Sequence, residues 1–145
     1  MSKQAIYDAI PHREPFLLVD AVVAQSDARI ECLKTFAGDE DFFRGHYPGH
    51  PLVPGVLLCE AAMQAGAILL SPLLAAAGGR VPVATRMNDV RFKRMVRPGD
   101  TIRMEVALIE RLADAFFLAA KVTVDGKLAV RFDFACTAAA QDATP

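Results

Sequence analysis

Apolar and polar residues alternate with a period of two through most of this chain, and the alternation breaks in one long stretch. From 127 to 137, Leu128, Val130, Phe132, Phe134 and Cys136 alternate with Lys127, Ala129, Arg131, Asp133 and Ala135, which predicts a strand with one buried face. Residues 101–110 repeat the pattern with Ile102, Met104, Val106 and Leu108 on one side, and 116–124 form a third run. Asp125-Gly126 joins that run to the last one, a dipeptide suited to a tight hairpin. Further strands are predicted over 17–25 and 29–36, either side of Ser26-Asp27-Ala28, and within 81–92, before the turn Arg97-Pro98-Gly99-Asp100.

The break runs from 56 to 77, where apolar residues occupy nearly every position. A helix is predicted there, opened by Pro54-Gly55, closed by Gly78-Gly79, and kinked or cut short at Pro72. Being apolar on all sides, it must be wrapped by other elements or by a second subunit. Strands, one long apolar helix and more strands define an α+β domain with the helix on one face of an antiparallel sheet. One domain is expected over 1–137, followed by an Ala-rich frayed tail over 138–145.

Composition narrows the setting. The 145 residues are 53% hydrophobic, enough for one sizeable core. A formal net charge of -1 gives no global field to attract nucleic acid. The apolar stretch passes a membrane test by length alone, but Glu60, Gln64, Ser71 and Pro72 interrupt it, so no membrane span is expected. Cys32, Cys59 and Cys136 form no CxxC pair and read as free thiols. The start has no apolar core of signal-peptide length, and the expected location is the cytoplasm.

The candidate chemistry sits around the helix. Glu60 is a carboxylate inside an apolar rod, and it must find partners or face a cavity. Gln64 follows at i+4 on the same stripe. Just upstream, a loop rich in Gly and Pro carries His46 and His50. A loop histidine feeding toward a helical carboxylate makes an acid and base pair; a structural histidine and a satisfied glutamate fit the same pattern equally well. His12, His46, His50 and Cys32 lack any zinc-type spacing, so neither metal nor cofactor is expected. Cys59 reads as a small core thiol rather than a nucleophile. Arg91, Lys93, Arg94 and Arg97 form a basic run that is either a solvated turn or a docking patch for an acidic partner.

The run GHYPGHPLVPGVLLCEAAMQ resembles the signature of the β-hydroxyacyl-acyl-carrier-protein dehydratases of fatty acid synthesis. IPHREPFLLVD near the start, and VRFKRMVRPGD followed by VDGKL, resemble further patterns of that family, so the likeness covers almost the whole chain. It implies a hot-dog fold, a curved antiparallel sheet wrapped around a long central helix, pairing into a double hot-dog dimer. It leaves open whether three such dimers assemble further. It also implies that His46 is the catalytic base and Glu60, fourteen positions on, the catalytic acid, facing each other across the dimer interface. The implied reaction removes water from a 3-hydroxyacyl thioester on acyl carrier protein to give a trans-2-enoyl thioester. The N–H groups at the helix start then make Gly55, beside Pro54, the donor to the thioester oxygen, with Gln64 in a positioning role. The basic run becomes a candidate docking patch for the acidic carrier. Glu at position 60, rather than Asp, resembles the non-isomerising branch. Glu14, His50, Val53 and Met95 depart from the family's usual residues, which bears on acyl length and pathway. Two other functions share the fold: an acyl thioesterase, and a non-catalytic acyl-thioester-binding module.

Overall fold

A computed structural model describes residues 1–76 and 78–140. Its strands are β1 (Ala21–Gln25), β2 (Arg29–Thr35), β3 (Val81–Phe92), β4 (Thr101–Leu112), β5 (Ala115–Val124) and β6 (Lys127–Ala139). All pair antiparallel in one sheet of order β1-β2-β4-β5-β6-β3. The helices are α1 (Lys3–Ala9) and α2 (Gly55–Ala76), and a 3-10 turn spans Asp41–Arg44. α2 packs against β2, β3, β4, β5 and β6, so the sheet encloses the helix as its all-round apolarity requires.

Alternation sets the register of that enclosure. Met104 of β4, Phe116 and Leu118 of β5, and Phe132 and Phe134 of β6 all turn inward and are buried. Interruptions of register at Val22/Ala24, Ala84/Arg86, Asn88/Arg91, Leu108/Glu110 and Val122/Thr123 bend the strands around the helix. The β5–β6 hairpin closes through Asp125 at φ 52 and Gly126 at φ 74, the paired positive angles that favour an Asp-Gly turn.

Several expectations need correction. β1 begins at Ala21 rather than residue 17: Phe16 and Leu17 N–H both donate to the Arg13 carbonyl, and Leu18 N–H is taken by the Gln64 side chain, so no ladder is available to them. α2 does not stop at Pro72 but runs to Ala76, because Leu69, Leu70 and Leu74 are buried on both sides of it. Its end is where the glycines stand, with Gly79 N–H donating to the Leu74 carbonyl at 3.1 Å. β6 continues through Ala138 and Ala139, paired with Pro82 and Val81, so the tail starts later than residue 138. Residues 141–145 of that tail lie outside the described residues. Ala129, expected on the outer face, is fully buried, because the chain leaving β3 crosses it and Lys93 and Arg94 N–H donate to its carbonyl.

Midway along α2 the sheet lies close at Gly66, where a Cβ would lie 2.8 Å from the end of the Phe134 ring and 3.4 Å from Leu118 Cδ2. Phe134 is itself 2% exposed and has nowhere to go. Gly66→Ala should therefore fail to give the ~1 kcal/mol that the exchange normally adds in a helix. Gly66→Val should lower unfolding free energy in urea by about 2 kcal/mol through overpacking. A Gly66→Val protein as stable as the parent would mean that the helix does not pack this closely.

Candidate active site

His46 is held by a short anchored segment. In the Asp41–Arg44 turn, Phe43 is buried, and Phe42 packs on the Phe36 and Phe43 rings at centroid distances of 6.2 and 4.6 Å. The Phe42 carbonyl accepts the N–H of Gly45 and of His46. Beyond it the chain turns through Tyr47 at φ 56 and Gly49 at φ 95. A tyrosine in the left-handed region costs about 1 kcal/mol or more, and here its ring stands edge-on to the imidazole at 4.8 Å. His46 Nδ1 lies 2.9 Å from the Leu52 carbonyl oxygen. A carbonyl only accepts, so the neutral ring carries its proton on Nδ1 and leaves Nε2 with a free lone pair.

That imidazole lines a cavity of about 530 Å³ shared with Tyr47, Gly55, Phe92, Arg94 and Met95. Gly55 opens α2, whose first N–H groups have no partner within the helix. The Pro54 carbonyl accepts Leu57 N–H at 2.9 Å and tightens this first turn, though Pro54 itself stays outside the cavity wall. Val53 N–H donates to the Val96 carbonyl at 2.8 Å, tying the helix entrance to the segment after β3. A Cβ on Gly55 would fall 2.6 Å from Phe92 Cε1, so glycine is what lets the aromatic ring lie against the helix start.

Glu60 sits one and a half turns further along, on a different side of the fold. Its Oε2 accepts from Gln64 Nε2 at 3.0 Å and lies 3.8 Å from His12 Nε2. Gln64 is 1% exposed and fully used: its Oε1 accepts Leu18 N–H at 2.7 Å, and its Nε2 also donates to the Phe16 carbonyl at 2.9 Å. The amide that satisfies itself on the 16–18 backbone is thus the same one that holds Glu60 Oε2. The segment it grips is shaped by Arg13, whose guanidinium donates to the Ile10, His12 and Tyr7 carbonyls. His12 stacks on Phe16, and burial pushes its imidazole below the ordinary histidine value against the opposing pull of Glu60.

Within one chain, then, His46 and Gly55 come together, and Glu60, Gln64 and His12 come together, but Glu60 does not line the His46 cavity. Arg91, Lys93, Arg94 and Arg97 are all exposed, and among the described residues none is in an ion pair. Lys93 and Arg94 stand on the cavity wall. Val53 and Met95, two departures from the family pattern, line it as well, whereas Glu14 serves a local contact, accepting from Tyr7 Oη at 2.8 Å. Burial pushes the Cys32 thiol up to about 12, and those of Cys59 and Cys136 up to about 11. Such thiols stay protonated, which removes Cys59 as a nucleophile. Sequence reasoning considered His12 only as a metal ligand; its place beside Glu60 depends on a contact 48 positions apart that spacing does not encode, although it lies within the PHREPFLLVD stretch.

Comparison with known proteins identifies the family and the fold. Residues 10–133 match the FabA-like domain. The 3-hydroxyacyl-[acyl-carrier-protein] dehydratase FabZ of Clostridium perfringens is 43% identical over 129 residues, covering 89% of this chain and 92% of the relative. That of Oenococcus oeni is 44% identical over 135 residues, covering 92% and 96%. In structure, the chain resembles the dehydratase heterocomplex ApeI:P from Xenorhabdus doucetiae with a TM-score of 0.78 at 17% identity, over 94% of this chain and 91% of that one, which establishes the hot-dog fold. A domain match that takes in both the His46 loop and Glu60, with relatives this similar over nearly their full length, means that the chain belongs to the FabA-like domain family.

Proposed function

We propose that this protein removes water from 3-hydroxyacyl thioesters carried on acyl carrier protein, giving trans-2-enoyl thioesters in fatty acid biosynthesis. The observation that carries the reading is the 2.9 Å approach of His46 Nδ1 to the Leu52 carbonyl oxygen, which in the neutral ring leaves Nε2 as a base beside a cavity. His46 Nε2 takes the C2 proton of the substrate. Glu60 gives a proton to the C3 hydroxyl, the C–O bond breaks, and water departs as the C2–C3 double bond forms. The thioester oxygen gathers charge as the C2 proton leaves, and N–H groups at the start of α2, Gly55 foremost, are placed to receive it. A thioesterase would need an activated water or a nucleophile at the thioester carbon, and the protonated cysteines supply no thiolate. A binding module would have no use for the free lone pair on His46.

The acid and base reach one substrate if two copies pair. Two features support such a dimer. β3 is a twelve-residue edge strand whose outer rim has no partner in the sheet, with Val83 46% and Met87 40% exposed. On α2, exposed Val56 and half-buried Glu60 and Met63, at i, i+4 and i+7, form an incompletely covered stripe along the N-terminal half of the helix. Edge-to-edge pairing of β3 continues the sheet and carries Glu60 of one copy toward the His46 cavity of the other. Larger assembly, a trimer of such dimers, would build on this unit. The unpaired cations Lys93 and Arg94 at the cavity wall are placed to receive the acidic carrier, with Arg91 and Arg97 beside them. Three buried thiols without a disulfide fit a reducing cytoplasm.

The decisive experiment follows absorbance at the enoyl-thioester band on mixing the protein with a crotonyl or 3-hydroxyacyl thioester. Hydration or dehydration is expected; release of free thiol would point to a thioesterase, and no change to a binding module. Glu60→Gln and His46→Ala should each lower turnover by ~10² or more while folding normally. Because each dimer site needs one residue from each copy, mixing the two inactive variants under subunit exchange should restore part of the activity. A fully active Glu60→Gln protein would remove the assigned acid.

Lys93→Glu combined with Arg94→Glu should weaken turnover of carrier-bound substrate in a salt-dependent way and spare short free thioesters. Equal losses on both substrates would mean that these cations shape the cavity rather than dock the carrier.

A further inference from the structure

We infer that His12 is a positioning residue that, together with Gln64, holds Oε2 of Glu60 and so leaves Oε1 as the oxygen that exchanges a proton with substrate. The inference rests on the proposed function for its catalytic meaning, but its structural part stands on the contacts alone.

Three observations converge on one oxygen. Gln64 Nε2 donates to Glu60 Oε2 at 3.0 Å, and His12 Nε2 faces the same atom at 3.8 Å. No described residue donates to Oε1. The third observation fixes the proton on His12. Its Nδ1 is buried and has no hydrogen-bond partner among the described residues. A buried N–H without an acceptor is disfavoured more strongly than a buried lone pair, so in the neutral ring Nδ1 is bare and Nε2 carries the hydrogen, aimed at Glu60.

The ring is placed to stay neutral and to stay put. Desolvation disfavours its charged form, the Arg13 guanidinium adds to that, and Glu60 opposes both. Phe16 stacks on its face at 6.4 Å between centroids, while the Phe16 carbonyl is itself held by Gln64. Gln64 therefore fixes Glu60 directly and fixes His12 through Phe16. A separation of 3.8 Å is long for a hydrogen bond, as contacts in unliganded sites often are before substrate draws them closed. The Gln64 N–H on Oε2, with the His12 N–H closing on the same atom when the site tightens, restricts rotation of the carboxyl group about its terminal bond. The carboxyl then presents a defined face, and its proton is delivered from Oε1 without a search over rotamers.

The test uses two replacements of similar volume in the full chain. His12→Leu removes the donor; His12→Gln restores an N–H at a similar reach. Turnover of a 3-hydroxyacyl thioester should fall about tenfold or more in His12→Leu with KM within about twofold, and His12→Gln should recover most of it. Full activity in His12→Leu, or equal loss in both variants, would overturn the inference. A second arm does not depend on activity. The His12 ring protons are titrated by NMR in the parent protein and in Glu60→Gln, and the midpoint should move to lower pH in the variant, because the carboxylate that favours the charged imidazole is gone. An unmoved midpoint would show that the two side chains are not coupled, and the inference would fall. If the parent protein neither hydrates nor dehydrates thioesters, the proposed function fails on its own, and the NMR arm still decides whether His12 holds Glu60.

Discussion

The structure depends on enclosing a helix that has no polar face. α2 is apolar on every side, so it is stable in water only where something covers each side. A flat sheet covers one. The strands therefore bend, through interruptions of register in each pairing but β2–β4, until five of them touch the helix. The choice of Ala61, Ala62, Ala65 and Gly66 on the helix lets large strand residues such as Phe134 and Leu118 fill the space between. Helix bulk has been traded for strand bulk, and closeness of approach follows from that.

Gln64 is where the enclosure and the chemistry meet. It is the one polar side chain buried in the core among the described residues, and a buried amide must satisfy both its ends. It does so by binding the backbone of residues 16–18 across the top of the helix and by donating to Glu60. The same bonds that avoid the cost of an unsatisfied amide tie a long non-helical segment to the helix and orient a carboxylate. Replacing it with leucine would leave the Leu18 N–H and Phe16 carbonyl without partners, so its effect would spread well beyond one side chain.

What the sequence could reveal follows from the range of the interactions involved. The β4, β5 and β6 runs were legible because alternation is a local property, and the Asp125-Gly126 hairpin because its two positive φ angles depend on those residue types alone. α1 was missed because it is seven residues long and buries only Ile6, too little to make a periodic stripe; its Ser2 cap on Ala5 N–H is the sole local signal. The end of the expected strand at 17–20 was missed for the opposite reason, since Leu18 looks extended and apolar, and only a glutamine 46 positions away withdraws it from the sheet. His46, Gly55 and Glu60 stand out in the sequence by their place in a long motif. The partition of those residues into two groups does not, because a motif records order along the chain and not which side of a helix each residue occupies.

That partition has a physical logic. A carboxylate and an imidazole both need some solvent or a partner, and neither tolerates the full enclosure that α2 imposes on its neighbours. Cys59 and Ala61 on either side of Glu60 are 2% and 0% exposed, while the Glu60 side chain keeps 24%. The opening exists because the sheet leaves Val56 exposed and Glu60 and Met63, further along the same stripe, only half-buried. Closing that stripe with more protein from the same chain would satisfy the apolar residues but bury the Glu60 carboxylate without a partner of opposite charge. Leaving it open exposes Val56 at 70%. A cover that is apolar around the rim and carries polar groups within it meets both demands, and the surface around His46 has that character, with Leu52, Val53, Phe92 and Met95 beside the imidazole and the cations Lys93 and Arg94.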